Sequence, residues 1–224
     1  LSRSWAVRFW LTLTAVGGVM AVVVSKNYVD ETSFLMAWAL VMYAALGSFV
    51  SLVISASAIS ADLPFLGEAI ISRGIAPTSY LVAKMISRSI AVLFMFLVIV
   101  VPTVVVLEYQ ALNPDMSTWG IVVALIYWSL MLLVLVLLGI TFSVLFSNTL
   151  VGVVVLGVLW YISLALLLLV HADGFTPEGV LGGLPLVLQG QSLLVEIETI
   201  MTLGVVPVLI LPFLAIRLFN RRDL

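Results

Sequence analysis

Long apolar runs alternate along this chain with short polar stretches. Six of the runs approach or exceed the roughly 20 residues a helix needs to cross a hydrocarbon core about 30 Å thick. They predict spans over about 9–25, 34–57, 90–107, 118–142, 150–170 and 199–218. The first is the shortest for that task, and Ser25 to Tyr28 can extend it. Gly47, Ser51 and Ser55 recur at four-residue spacing in the second span, beside Ala44 and Ser48, a stripe that lets another helix approach closely. Pro102 lies inside the third span, where it removes one backbone hydrogen bond and predicts a kink. The turn Ser147-Asn148-Thr149 leads straight from the fourth span into the fifth.

Ala58 to Arg88 is the long polar passage between two spans that also carries basic residues. Asp62 and Glu68 face Arg73, Lys84 and Arg88 within it, and Pro64, Gly67, Gly74 and Pro77 break it into short pieces. A short helix is expected from Phe65 to Ile71, with Phe65, Ala69 and Ile70 on one side and Glu68 and Ser72 on the other. Gly74 reads as its C-cap, and Pro77 as the first turn of the following helix. Such a loop can grip a partner at the membrane surface; it can equally be an ordinary connector.

His171 to Glu198 is broken in a different way. Gly179, Gly182, Gly183, Pro185 and Gly190 interrupt an apolar segment bracketed by Asp173, Glu178, Glu196 and Glu198. A re-entrant or interfacial hairpin fits this pattern better than a full span. Glu196 and Glu198, at the mouth of the last span, could anchor that hairpin, act as an outer gate, or simply be solvated interfacial acids.

Composition agrees with the runs: 64% of residues are hydrophobic and 9% charged, with a mean hydropathy of +1.33. The expected fold is therefore an all-α integral membrane protein, a single domain over 1–224. The first residue is Leu1, so further residues are expected before it, and the first apolar run lacks a signal-peptide cleavage site. Charge sets the orientation. With six spans, eight bases and three acids (Asp62, Glu68, Asp223) share one side, against Lys26 and eight acids on the other. That is +5 against −7, which totals the chain's −2. The positive-inside rule then puts both termini and the central loop in the cytoplasm.

Reactive chemistry is sparse. There is no P-loop sequence, so no phosphate cradle of that kind for ATP. With no cysteine and one histidine, His171, a multi-ligand metal site is not expected. No acid or base falls near the centre of a predicted span, which argues against an ion-coupled carrier. Nucleic-acid binding is not expected either, and lipid is the expected surroundings.

The stretch ISADLPFLGEAIISRGIAPTSYLVAKMISR resembles the loop after the second span in type-2 ABC exporter permeases, with Pro77, Tyr80-Leu81-Val82 and Lys84 fitting its proline-initiated turn and third-span start. The closing RLFNRRDL is similar to that family's F-x-R-R-D ending, and the likeness covers nearly the whole chain. Here only Asp62 and Glu68 supply acids before Gly74, fewer than the family's loop carries. The resemblance implies a permease subunit of an ATP-driven exporter in a bacterial or archaeal inner membrane, without enzymatic activity of its own. Asp62, Phe65, Gly67, Glu68, Arg73 and Gly74 would form the coupling helix seated on a cytoplasmic ATPase subunit. Arg3, Trp5 and Arg8 would belong to an elbow helix at the membrane interface. The chain itself would hold no cofactor; ATP and Mg would sit on the ATPase, and a second permease subunit, identical or homologous, would complete the assembly. The cargo implied is hydrophobic or amphipathic. The alternative is a non-transporting scaffold or assembly factor that recruits a cytoplasmic partner.

Overall fold

In the computed structural model, the described residues are 8, 12, 15, 16, 19, 23, 31–60, 74, 76–110, 114–169, 177–191 and 204–221. They form helices joined by turns, with no strand among them. Six helices have defined limits: α1 Thr32–Ser60, α2 Pro77–Gln110, α3 Thr118–Leu145, α4 Thr149–Leu169, α5 Pro177–Leu188 and α6 Val206–Asn220. Before them, Arg8, Thr12, Val16, Val19 and Val23 are helical and exposed, and the Thr12 hydroxyl donates to the Arg8 carbonyl at 2.9 Å.

The first three helices, of 29, 34 and 28 residues, are long and apolar enough to cross a membrane. The protein is membrane-embedded, and its regular structure among the described residues is all helical. At 1.5 Å per residue, α2 runs about 50 Å, well beyond a hydrocarbon core of about 30 Å. It starts at Pro77, the residue read as a helix start, so Lys84 and Arg88 lie on a helix that continues into the third predicted span. Pro102 sits inside α2, and the next residue, Thr103, bonds back to the Ile99 carbonyl at 2.8 Å.

Helix α3 is the hub, packing against each of the other five. Its sequence is apolar on all faces, which suits an element surrounded by protein, and from Leu132 to Val144 most positions are buried. One close approach is to α1. A Cβ added at Gly139 would lie 2.6 Å from Ser55 Cβ, so the two backbones meet where both sequences supply small residues. Gly47, Ser51 and Ser55 are all buried, and the predicted stripe is a packing surface. Its middle part faces α2 across a recess lined by Tyr43, Gly47, Val50, Ser51, Ile54, Val92 and Met95. Tyr43 closes one side with an edge-on contact to Phe96, ring centres 5.2 Å apart.

Helix α5 is different. Its 12 residues span about 18 Å, too short to cross the core. Leu184, Val187 and Leu188 are buried, and Gly190 turns the chain at φ +80° immediately afterwards. The helix runs unbroken through Gly179, Gly182, Gly183 and Pro185, which were expected to interrupt it, and ends just before Gly190; the rest of the expected hairpin lies outside the described residues.

Candidate functional site

Two polar junctions tie the helix ends together, one at each end of the bundle. The first is built around Asp115, in the loop between α2 and α3. The opening N–H groups of a helix have no partner within it and carry partial positive charge. Asp115 supplies that partner to α1 from across the fold. Its Oδ1 accepts from the Ser33 N–H at 2.8 Å and from the Thr32 hydroxyl at 2.5 Å. Its Oδ2 accepts from the Ser33 hydroxyl at 2.5 Å and from Gln189 Nε2 at 2.9 Å. Gln189 Nε2 also donates to Ser33 Oγ at 2.9 Å. Two residues on, Ser117 caps α3 by accepting from the Gly120 N–H at 2.9 Å, while its own N–H donates to the Leu188 carbonyl at 2.7 Å.

This packing needs two glycines. A Cβ at Gly120 would sit 2.5 Å from the Leu188 carbonyl oxygen, and one at Gly190 2.7 Å from Ser117 Oγ. Electrostatically, burial works to raise the Asp115 pKa, but the hydroxyls of Ser33 and Thr32, the Ser33 N–H and Gln189 outweigh it and hold the group at about 2. Asp115 is thus a firmly ionised anchor for α1, α3 and the end of α5.

The second junction lies where α1 ends and the Ala58 to Arg88 passage begins. Ser143 Oγ, on α3, accepts from the N–H groups of Ile59 and Ser60, both at 2.9 Å. Ser60 Oγ lies 2.9 Å from the Ala56 carbonyl, to which it donates, and 2.7 Å from Thr149 Oγ1 at the start of α4. Asn148 Oδ1 accepts from the Leu150 N–H at 2.9 Å and shapes the three-residue turn between α3 and α4. The exit from α1 is therefore fixed to both neighbours.

Of the residues singled out in the sequence, Gly74 is exposed at φ +60°, a conformation that suits glycine and fits a helix C-cap. Open space surrounds it. Arg8 is exposed on its helix. Lys84 lies 5.5 Å from the centre of the Tyr80 ring. Asp62, Phe65, Gly67, Glu68, Arg73, Arg3, Trp5, His171, Glu196 and Glu198 lie outside the described residues.

Sequence reasoning missed the convergence on Asp115, which it placed only in a loop. Thr32 and Ser33 directly before an apolar run, and Ser117 before the next, are helix-start residues and were a usable signal. Nothing local announces that the acceptor for α1 lies 82 positions away.

The described groups can hold helices in place; among them no three His, Asp or Glu side chains gather where a metal could bind. No protein-family model, curated protein or solved structure matches the chain.

Proposed function

We propose that this chain is the transmembrane permease subunit of an ATP-driven ABC exporter. In this reading it has six spans with both termini in the cytoplasm. The spans comprise α1 to α4, one over 9–25 and one over 199–218 that includes α6. Helix α5 is the first limb of a re-entrant hairpin on the outer face. The passage from Asp62 to Gly74 is the coupling helix, docked on a cytoplasmic ATPase that binds ATP and Mg. A second permease subunit completes the path, and the cargo is hydrophobic or amphipathic.

The observation that carries the reading is the length of α2. A continuous helix of 34 residues begins three residues after Gly74 and runs through the membrane. A load applied to the loop would pass into it along an unbroken backbone, whose N-terminal part carries Lys84 and Arg88. Ser143 fixes the other side of the same loop at Ile59 and Ser60. A loop held at one end and leading into a long helix at the other suits force transfer, and force transfer needs no reactive side chain. The charge asymmetry and the resemblance of residues 59–88 support the same reading.

Purification of the chain from its native membrane in mild detergent tests the proposal. Co-isolation of an ATPase that drives solute export with this chain is expected. Glu68→Ala or Gly74→Val should abolish export while leaving insertion and ATP hydrolysis largely intact. A cytoplasmic partner without ATPase activity would favour the scaffold reading, and unchanged export by both variants would remove the loop from the mechanism.

A further inference from the structure

We propose that Asp115 is a latch: it fastens the end of α5 across the ends of α1 and α3, and α5 lifts away when the carboxylate is lost. The inference concerns the fold and does not depend on the exporter reading.

Three observations carry it. Helix α5 has little stability of its own. It is 12 residues long, contains Gly182 and Gly183, and includes Pro185, which has no N–H to donate. Its apolar contacts do not compel docking in a bilayer, because lipid tails replace Leu184, Val187 and Leu188 as neighbours at little cost. Docking then rests on close packing and polar bonds. The polar bonds that tie its C-terminal end to the rest of the fold run from Gln189 Nε2 to Asp115 and Ser33, and from the Ser117 N–H to the Leu188 carbonyl. Asp115 makes the first of these directly, and Ser117, two residues on in the same loop, makes the second.

The same carboxylate caps α1 through Thr32 and Ser33. One side chain therefore joins the start of a long helix, the loop leading into the hub helix and the end of a short helix. Gly190, at φ +80°, turns the chain immediately after α5. The two sides differ in what they keep on release. Helices α1 and α3 remain packed at Gly139 and Ser55, whereas α5, among the described residues, keeps the apolar packing of Leu184, Val187 and Leu188 and the fit at Gly120.

Thiol accessibility in the full-length chain tests this cleanly, because the sequence contains no cysteine. Leu188→Cys places a reporter under α5 at a position 1% exposed, and Ile59→Cys places a control at the opposite end, 0% exposed. Each is made with and without Asp115→Ala, in membranes, and exposed to a water-soluble maleimide. The expected result is labelling of the Leu188→Cys reporter faster by about tenfold or more when Asp115 is lost, with the Ile59→Cys rate unchanged. Gln189→Leu should reproduce the effect with α1 still capped, which separates release of α5 from fraying of α1. Equal acceleration at both reporters would show general loosening and overturn the latch. So would no change at Leu188→Cys, or acceleration with Asp115→Ala but none with Gln189→Leu.

Discussion

Asp115 is held as a carboxylate by its donors, and the sign of its pH dependence follows. Burial alone would raise its pKa; the Ser33, Thr32 and Gln189 donors bring it to about 2, from an ordinary value of 3.8. A group whose pKa is depressed by folding contributes stability above its unfolded pKa and loses it as pH falls through the folded one. The native chain should therefore lose thermal stability between about pH 4 and about pH 2 through this residue. Asp115→Asn keeps the shape and cannot titrate. It should cost about 1 kcal/mol at neutral pH, the low end for charge-assisted bonds at a half-buried site. Its unfolding midpoint should fall less steeply than the native one over that acidic window. Parallel pH profiles for the two proteins would mean that Asp115 is not held by its neighbours in this way. The sequence marked Asp115 only as a polar loop residue, because its significance depends on Gln189, 74 positions away, and Ser33, 82 away.

At the level of paired helices, more was legible. The Gly47, Ser51 and Ser55 stripe announced a close helix contact from its four-residue spacing alone. It did not name the partner, since Gly139 stands in an apolar run with no pattern to distinguish it. Shape complementarity between those positions makes a quantitative test available. In Gly139→Ala the new methyl would meet Ser55 Cβ at 2.6 Å, an overpacking that should cost about 1–3 kcal/mol. Removing the Ser55 side chain opens the space, so Gly139→Ala combined with Ser55→Gly should recover much of that loss. The single Ser55→Gly change should cost about 1 kcal/mol, because glycine is a poor residue inside a helix. Thermal unfolding of all four proteins in one detergent gives the coupling energy. Additive losses would show that the two helices do not meet at this point. Pro77 was the other legible feature: a residue suited to a helix's first turn begins α2, and the helix then continues through Pro102 to Gln110.

For the molecule as a whole, the apolar runs were readable because lipid leaves a backbone few choices: a long segment without polar side chains satisfies its amide groups only by becoming helical. The expected sidedness rests on a different signal, the placement of charge, and the two can be checked against each other. The short turn at Ser147 and Asn148 makes α3 and α4 antiparallel neighbours, and Thr149 shares a hydrogen bond with Ser60. Asn148 therefore belongs at the same end as the start of the loop after α1. Ala76, just before α2, should join it if α2 runs antiparallel to α1, and Pro114 should lie at the other end beside Asp115. All three are exposed, and the chain has no native thiol. In intact cells, a membrane-impermeant maleimide should label Pro114→Cys at once, and Ala76→Cys and Asn148→Cys only after permeabilisation. Asn148 and Ala76 responding oppositely would break the helix order, because the loop and the turn could not then share a face. All three responding in reverse would leave the bundle intact and turn it over, and a loop exposed to the outside could not meet a cytoplasmic ATPase.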